Sequence, residues 1–156
     1  MQPPSLLLAT PAVFAIHVLE EAPGFVTWVN AHIDRDITQS SFWTVNFTAL
    51  LITLAVIFFE RVSASKLSAI AVLTWLGVLM VGNAMLHIGA ALVDRAYVPG
   101  VVTAILLYLP FSTLVVARLI QSRRVSPSAA AIAIVVGAIP MLAHGYMILF
   151  RGTRLF

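Results

Sequence analysis

Long apolar runs alternate with short polar connectors along this chain, and the length of each run sets the first expectation. Crossing the hydrocarbon core of a bilayer as a helix takes about 20 apolar residues. Runs of that order occupy about residues 5–22, 42–59, 67–92, 100–119 and 129–150. The pattern predicts an all-α fold, a polytopic transmembrane helical bundle of about five spans, built as a single domain over residues 1–156. Pro23-Gly24 and Pro99-Gly100 stand where helices should stop or start, whereas Pro11 and Pro140 fall inside runs, where a kink is expected. One connector differs from the rest. In "APGFVTWVNAHIDRDITQSS", Phe25, Val29, Ile33 and Ile37 recur every fourth residue while Asn30, Asp34 and Arg35 lie elsewhere around the helix. That spacing predicts an interfacial amphipathic helix over about 25–37, with Trp28 in the headgroup layer.

Composition sharpens this picture. Of 156 residues, 61% are hydrophobic and only 10% charged, and the mean hydropathy is +1.03. A soluble domain carries about 25% charged residues, so the chain reads as an integral membrane protein. The absence of cysteine excludes a disulfide framework, thiolate metal ligands and a thiol nucleophile. A pI of 10.0 does not imply nucleic acid as a partner, because the basic residues sit in connectors, where they act as topology signals. Arg61, Lys66, Arg118, Arg123 and Arg124 lie on one side, and Arg35, Arg95, Arg151 and Arg154 on the other. This small excess places the N-terminus in the cytoplasm. The opening "MQPPS" lacks a basic segment, so no cleaved signal peptide is expected.

The polar residues inside the runs carry the chemistry. The first, third and fifth spans run in one direction, so their C-terminal halves share one side of the membrane, the non-cytoplasmic one in this orientation. His17, Glu20 and Glu21 end the first, Asn83 and His87 lie late in the third, and His144 lies late in the fifth. Spacings of three and four put His17, Glu20 and Glu21 on one helical face, and Asn83 and His87 on another. Two adjacent carboxylates at a helix C-terminus repel each other and the helix dipole, which favours a bound cation. Histidine nitrogens with a carboxylate suit zinc first and iron second. His17, His87 and His144 are therefore candidate ligands of a divalent metal, with Glu20 or Glu21 as a fourth. The remaining glutamate would serve as a base and Asn83 as an oxyanion or ligand-orienting group. Tyr97 and Thr103, near the start of the fourth span, are candidate substrate contacts. His32 reads as an interhelical hydrogen-bond partner, and Asp94 with Arg95 as a solvated loop.

These features imply a membrane-embedded, metal-dependent enzyme acting on a lipid or other hydrophobic small molecule, most simply by hydrolysis with a metal-activated water and a glutamate base. An iron-dependent oxidoreductase or hydroxylase, a metal-free glutamate–histidine acid–base enzyme, and a non-enzymatic metal- or ligand-binding or transport protein are the other readings. One-sided clustering favours an enzyme or binding site over a conduit, which needs polar groups through its whole depth.

The chain resembles the HXXEE family of small bacterial integral membrane proteins. The likeness rests on "HVLEE" (His17 to Glu21), "NAMLH" (Asn83 to His87) and "YVPGVVTAILLYLP" (Tyr97 to Pro110). It implies a small multi-span protein of the bacterial inner membrane whose polar motifs look enzymatic. A looser likeness links the EE pair to glutamate-dependent intramembrane proteases of the CAAX type, but the arginine that follows the pair in those proteins is absent from "EEAPGFV". The three-histidine-plus-acid composition is similar to that of intramembrane zinc hydrolases of the ceramidase type.

Overall fold

In the computed structural model, which describes residues 5–154, helix boundaries fall where local chemistry puts them. A 3-10 turn, Ser5–Ala9, leads into α1, Thr10–Glu21. Then come α2 (Phe25–Asn30), α3 (Gln39–Ser63), α4 (Lys66–Asp94), α5 (Val101–Gln121) and α6 (Pro127–Arg151). Thr38, Ser65 and Ser126 cap the N-termini of α3, α4 and α6, each accepting a backbone N–H from three residues on. Gly152, at φ 61°, closes α6 in the left-handed conformation that glycine tolerates best. Regular structure among the described residues is helical throughout.

Four helices, α3 to α6, are long and apolar enough to cross a membrane. The first run is shorter. Five residues of 3-10 turn and twelve of α-helix reach roughly 28 Å at rises of about 2.0 and 1.5 Å per residue. Its C-terminal end stops against Gly100, at the head of α5, and this places the Glu20–Glu21 pair. Met1–Pro4, part of the opening segment considered for a leader, lie outside the described residues.

The predicted interfacial helix over 25–37 is only one and a half turns long, ending at Asn30. The rest of that segment is held as a loop by the Asn30 side chain. Its amide donates to the Ile37 carbonyl at 3.0 Å, and its carbonyl accepts the Ile37 N–H at 2.8 Å. The periodic stripe still does work: Val29 and Ile33 bury against Ile148 of α6, with Phe25 and Ile37 packed alongside. The stripe therefore faces protein, and the amphipathic pattern reports tertiary burial. Trp28 likewise turns inward, donating its indole N–H to Asp94 at 2.8 Å.

Helix α4 is the centre of the bundle. Over its most apolar window 56% of residues are buried, against 17% for α3, which faces outward. Its close partner is α6, and small residues permit the approach. A methyl on Gly77 would stand 2.5 Å from the Ile134 carbonyl oxygen, and one on Gly137 would stand 2.0 Å from that of Thr74. Near this crossing α4 widens into a π-helical segment, Gly77–Gly82, and α5 carries another, Ala104–Tyr108. A π turn takes in an extra residue and rotates the downstream face relative to the upstream one. Asn83 and His87 follow the first directly.

Candidate metal centre

Helix α1 presents His17 and Glu21 one turn apart on the same face, and α4 presents His87 to them. All three are buried, at 1%, 4% and 0% exposure. His87 Nε2 lies 2.9 Å and His17 Nε2 3.4 Å from Glu21 Oε1, and one ligand atom from each residue falls within 4.8 Å of the others. These approaches are within ion-pair range, yet neither Nε2 makes a hydrogen bond of acceptable direction to the carboxylate, and Nδ1 of His87 also has no hydrogen-bond partner. Buried polar atoms without partners are costly. Two histidine nitrogens and a carboxylate oxygen gathered at this spacing could hold a metal ion. A zinc or iron ion with ligand bonds of ~2.1 Å sets neighbouring ligand atoms roughly 3.0–3.4 Å apart, from octahedral to tetrahedral, the spacing seen about Glu21. The residues fit a divalent metal, and the fit holds for two histidines and one carboxylate.

The surroundings hold His17 in the form a metal requires. Glu20, next in sequence but on the other side of the turn, accepts four hydrogen bonds from the start of α5 and the loop before it. They come from the Val102 N–H at 3.1 Å, the Thr103 N–H at 2.7 Å, the Thr103 hydroxyl at 2.5 Å and the Tyr97 hydroxyl at 2.9 Å. Thr103 thus gives its one proton to Glu20. Its oxygen, 2.7 Å from His17 Nδ1, then accepts the imidazole N–H. This network occupies Nδ1 and leaves Nε2 as the ring atom that faces the cluster. The His17 ring also stacks on buried Tyr108, with ring centroids 4.1 Å apart. Gly100, at φ +94°, closes over the centre. A Cβ there would stand 2.8 Å from His87 Cε1 and 3.0 Å from both His17 Cε1 and Glu21 Cγ.

Not every candidate from the sequence joins the cluster. The carboxylate of the trio is Glu21, while Glu20 caps α5. A glutamate at the end of α1 is unfavourable toward its own helix but favourable at the N-terminus of the next, which sequence order alone does not show. Tyr97 and Thr103 bond Glu20 and stand outside the cavity lining. His144 lies outside the trio but lines the same cavity, an apolar space of about 410 Å³ between α1, α3, α4 and α6. Asn83 lines it as well, its carboxamide oxygen buried without a hydrogen-bond partner. His32, in the turn after α2, lies 3.1 Å from Asp94 Oδ1, so Asp94, expected in a solvated loop, instead ends α4 and is held between His32 and Trp28.

Sequence reasoning passed over three features. Gly100 and Tyr108 fall within the "YVPGVVTAILLYLP" stretch, but neither carries an obvious chemical signature. At the other end of the helices, fully buried Glu60 pairs with Arg124 at 2.9 Å and accepts a hydrogen bond from Ser68. Glu60 and Arg124 stand next to Arg61 and Arg123 at the ends of apolar runs, where solvated charges are the ordinary expectation.

A family model described as "Protein of unknown function with HXXEE motif" matches residues 8–115. No curated protein and no solved structure matches the chain. The motif histidine and glutamates are His17, Glu20 and Glu21, and the match covers more than half of the sequence: the chain belongs to the HXXEE family.

Proposed function

We propose that the protein is a metal-dependent membrane enzyme acting on a lipid or other hydrophobic substrate, most simply as a hydrolase. One observation carries the proposal: a buried His17–Glu21–His87 group lies in the wall of an apolar cavity large enough for part of a lipid chain. Two histidines and one carboxylate are the protein ligands of a common type of catalytic zinc site, which keeps a further position for water or substrate. A zinc ion held there would supply Lewis acidity and make a water molecule a better nucleophile at neutral pH.

The chain's own residues take the other roles. Glu20 and Thr103 orient His17, so Glu20 serves as a positioning residue. Among the described residues lining the cavity, His144 is the one titratable group outside the trio, and it takes the proton-accepting role that the sequence suggested for a glutamate. Asn83 offers its carboxamide to the polar part of a substrate. Val45 and Ile52, 53% and 40% exposed on α3, belong to both the cavity wall and the outer surface, which supports entry from the bilayer. The same donor set suits iron(II) in oxygenases, so an iron-dependent oxidation is the second reading.

The test is the metal content of protein purified in detergent without a histidine tag, followed by turnover of a panel of lipids with and without chelator. Near-stoichiometric zinc, absent from His87→Ala, with chelator-sensitive lipid hydrolysis is the expected result. Iron in its place moves the chemistry to oxidation. A chain that stays metal-free after exposure to both ions refutes the proposal.

A further inference from the structure

At the opposite ends of α4 and α5 from the metal centre, a second cavity of about 530 Å³ lies between the start of α4, the end of α5 and the connector into α6. Lys66, Arg123 and Arg124 line it, beside apolar Ile70, Ile120 and Val125. Lys66 and Arg123 are exposed, whereas Arg124 is only 8% exposed. Arg124 uses one nitrogen, Nη2, for its protein contacts, donating to Glu60 Oε2 at 3.2 Å and to the Ser65 carbonyl at 2.8 Å. Its other terminal nitrogen, Nη1, is buried without a hydrogen-bond partner. The guanidinium of this cavity-lining arginine therefore keeps donor capacity unused. Glu60 is fully buried and already pairs with Arg124, so Lys66 and Arg123 leave the cavity mouth positive. The N-terminus of the 25-residue helix α6 adds to that field.

We propose that this cavity binds a phosphate group, supplied by the headgroup of an anionic phospholipid. Cationic and hydrogen-bonding groups meet the phosphate, and apolar surface continues outward from the rim. Ile70, 38% exposed, lines the cavity, and its neighbour Leu67, 69% exposed, extends the apolar face of α4. A free inorganic anion has no use for that surface; an acyl chain does. Basic pockets between spans are a recurrent means of holding acidic lipids. The site does not depend on the metal centre.

Native mass spectrometry of the full chain in detergent tests this, with phosphatidylglycerol, phosphatidylcholine and inorganic phosphate as separate probes. With about 1 kcal/mol per basic residue near a membrane surface, Lys66 and Arg123 should favour phosphatidylglycerol over phosphatidylcholine by roughly tenfold or more. Lys66→Gln with Arg123→Gln should remove that preference. Arg35→Gln with Arg95→Gln, at the other ends of the helices, should keep it. Both substituted pairs are exposed, and thermal unfolding would verify that each variant is folded. Equal retention of the two lipids, or loss of the preference in both double variants, overturns the proposal. Inorganic phosphate binding as well as phosphatidylglycerol, and displacing it, overturns the lipid assignment in favour of a soluble anion.

Discussion

Gly100→Ala is the most direct probe of the proposed metal centre, because the structure specifies what one methyl would meet. The new Cβ would stand 2.8 Å from His87 Cε1, 3.0 Å from His17 Cε1 and 3.0 Å from Glu21 Cγ. Carbon atoms rest at about 3.5–4.0 Å, so the three side chains must together retreat by roughly 0.5–1 Å. Bond lengths in a metal site tolerate about ±0.2 Å, so a shift of that size breaks the ligand geometry. An L-residue at φ +94° adds backbone strain of about 1–3 kcal/mol. Disturbing even residues that only orient ligands costs 10- to 100-fold in metal affinity, and Gly100→Ala should cost at least about 100-fold because it touches all three ligands. The assay is competition for zinc against a chromogenic chelator in detergent, with thermal unfolding in parallel. Gly89→Ala is the matched control: a Cβ there meets nothing within 4 Å, and the change should be neutral or stabilise by up to about 1 kcal/mol. Wild-type metal affinity in folded Gly100→Ala would refute the placement of the site beneath this glycine.

The two motif glutamates should separate cleanly. Glu21→Gln should lower zinc affinity by more than about 100-fold, whereas Glu20→Gln, which only orients His17, should cost about tenfold and destabilise the start of α5 by roughly 1 kcal/mol; the reverse order in a chelator titration would contradict the geometry. Thr103→Val removes the acceptor of the His17 N–H and should weaken zinc binding about 10- to 100-fold. Thr103→Ser should restore it, and equal binding by both variants would exclude the relay. Glu60→Gln leaves the Arg124 charge buried without its counter-ion and should destabilise the bundle by about 3–5 kcal/mol, with metal affinity of the folded fraction unchanged. A loss below about 1 kcal/mol on denaturant-induced unfolding in detergent would show that the pair is not structural.

Much of the fold was legible because membrane burial is written locally. Apolar run length and Pro-Gly breaks locate the four long helices without reference to any contact, while the first run, counted with them as a span, forms a shorter helix. The amphipathic segment marks the limit of such reasoning. The spacing of Phe25, Val29, Ile33 and Ile37 shows that one face is apolar, but the same spacing serves a helix lying in the headgroup layer and a loop packed on α6. Hydrophobic periodicity reports burial and is silent about the partner.

For the candidate site, the sequence by itself determined the residue types and the presence of His17, His87 and a glutamate among them. Tertiary structure alone decided which glutamate. Glu20 and Glu21 are adjacent and chemically identical, so nothing local separates them. Their roles diverge because α5 begins with free N–H groups beside Glu20, while His87 of α4 arrives beside Glu21. Tertiary structure also placed His144 on the cavity wall instead of in the cluster, turned Thr103 into a support for His17, and put Gly100 over the centre. Each of these depends on how helices remote in sequence approach one another, and that approach is set by close packing at Gly77 and Gly137 and by the π-helical widening of α4, tertiary properties that no single segment encodes.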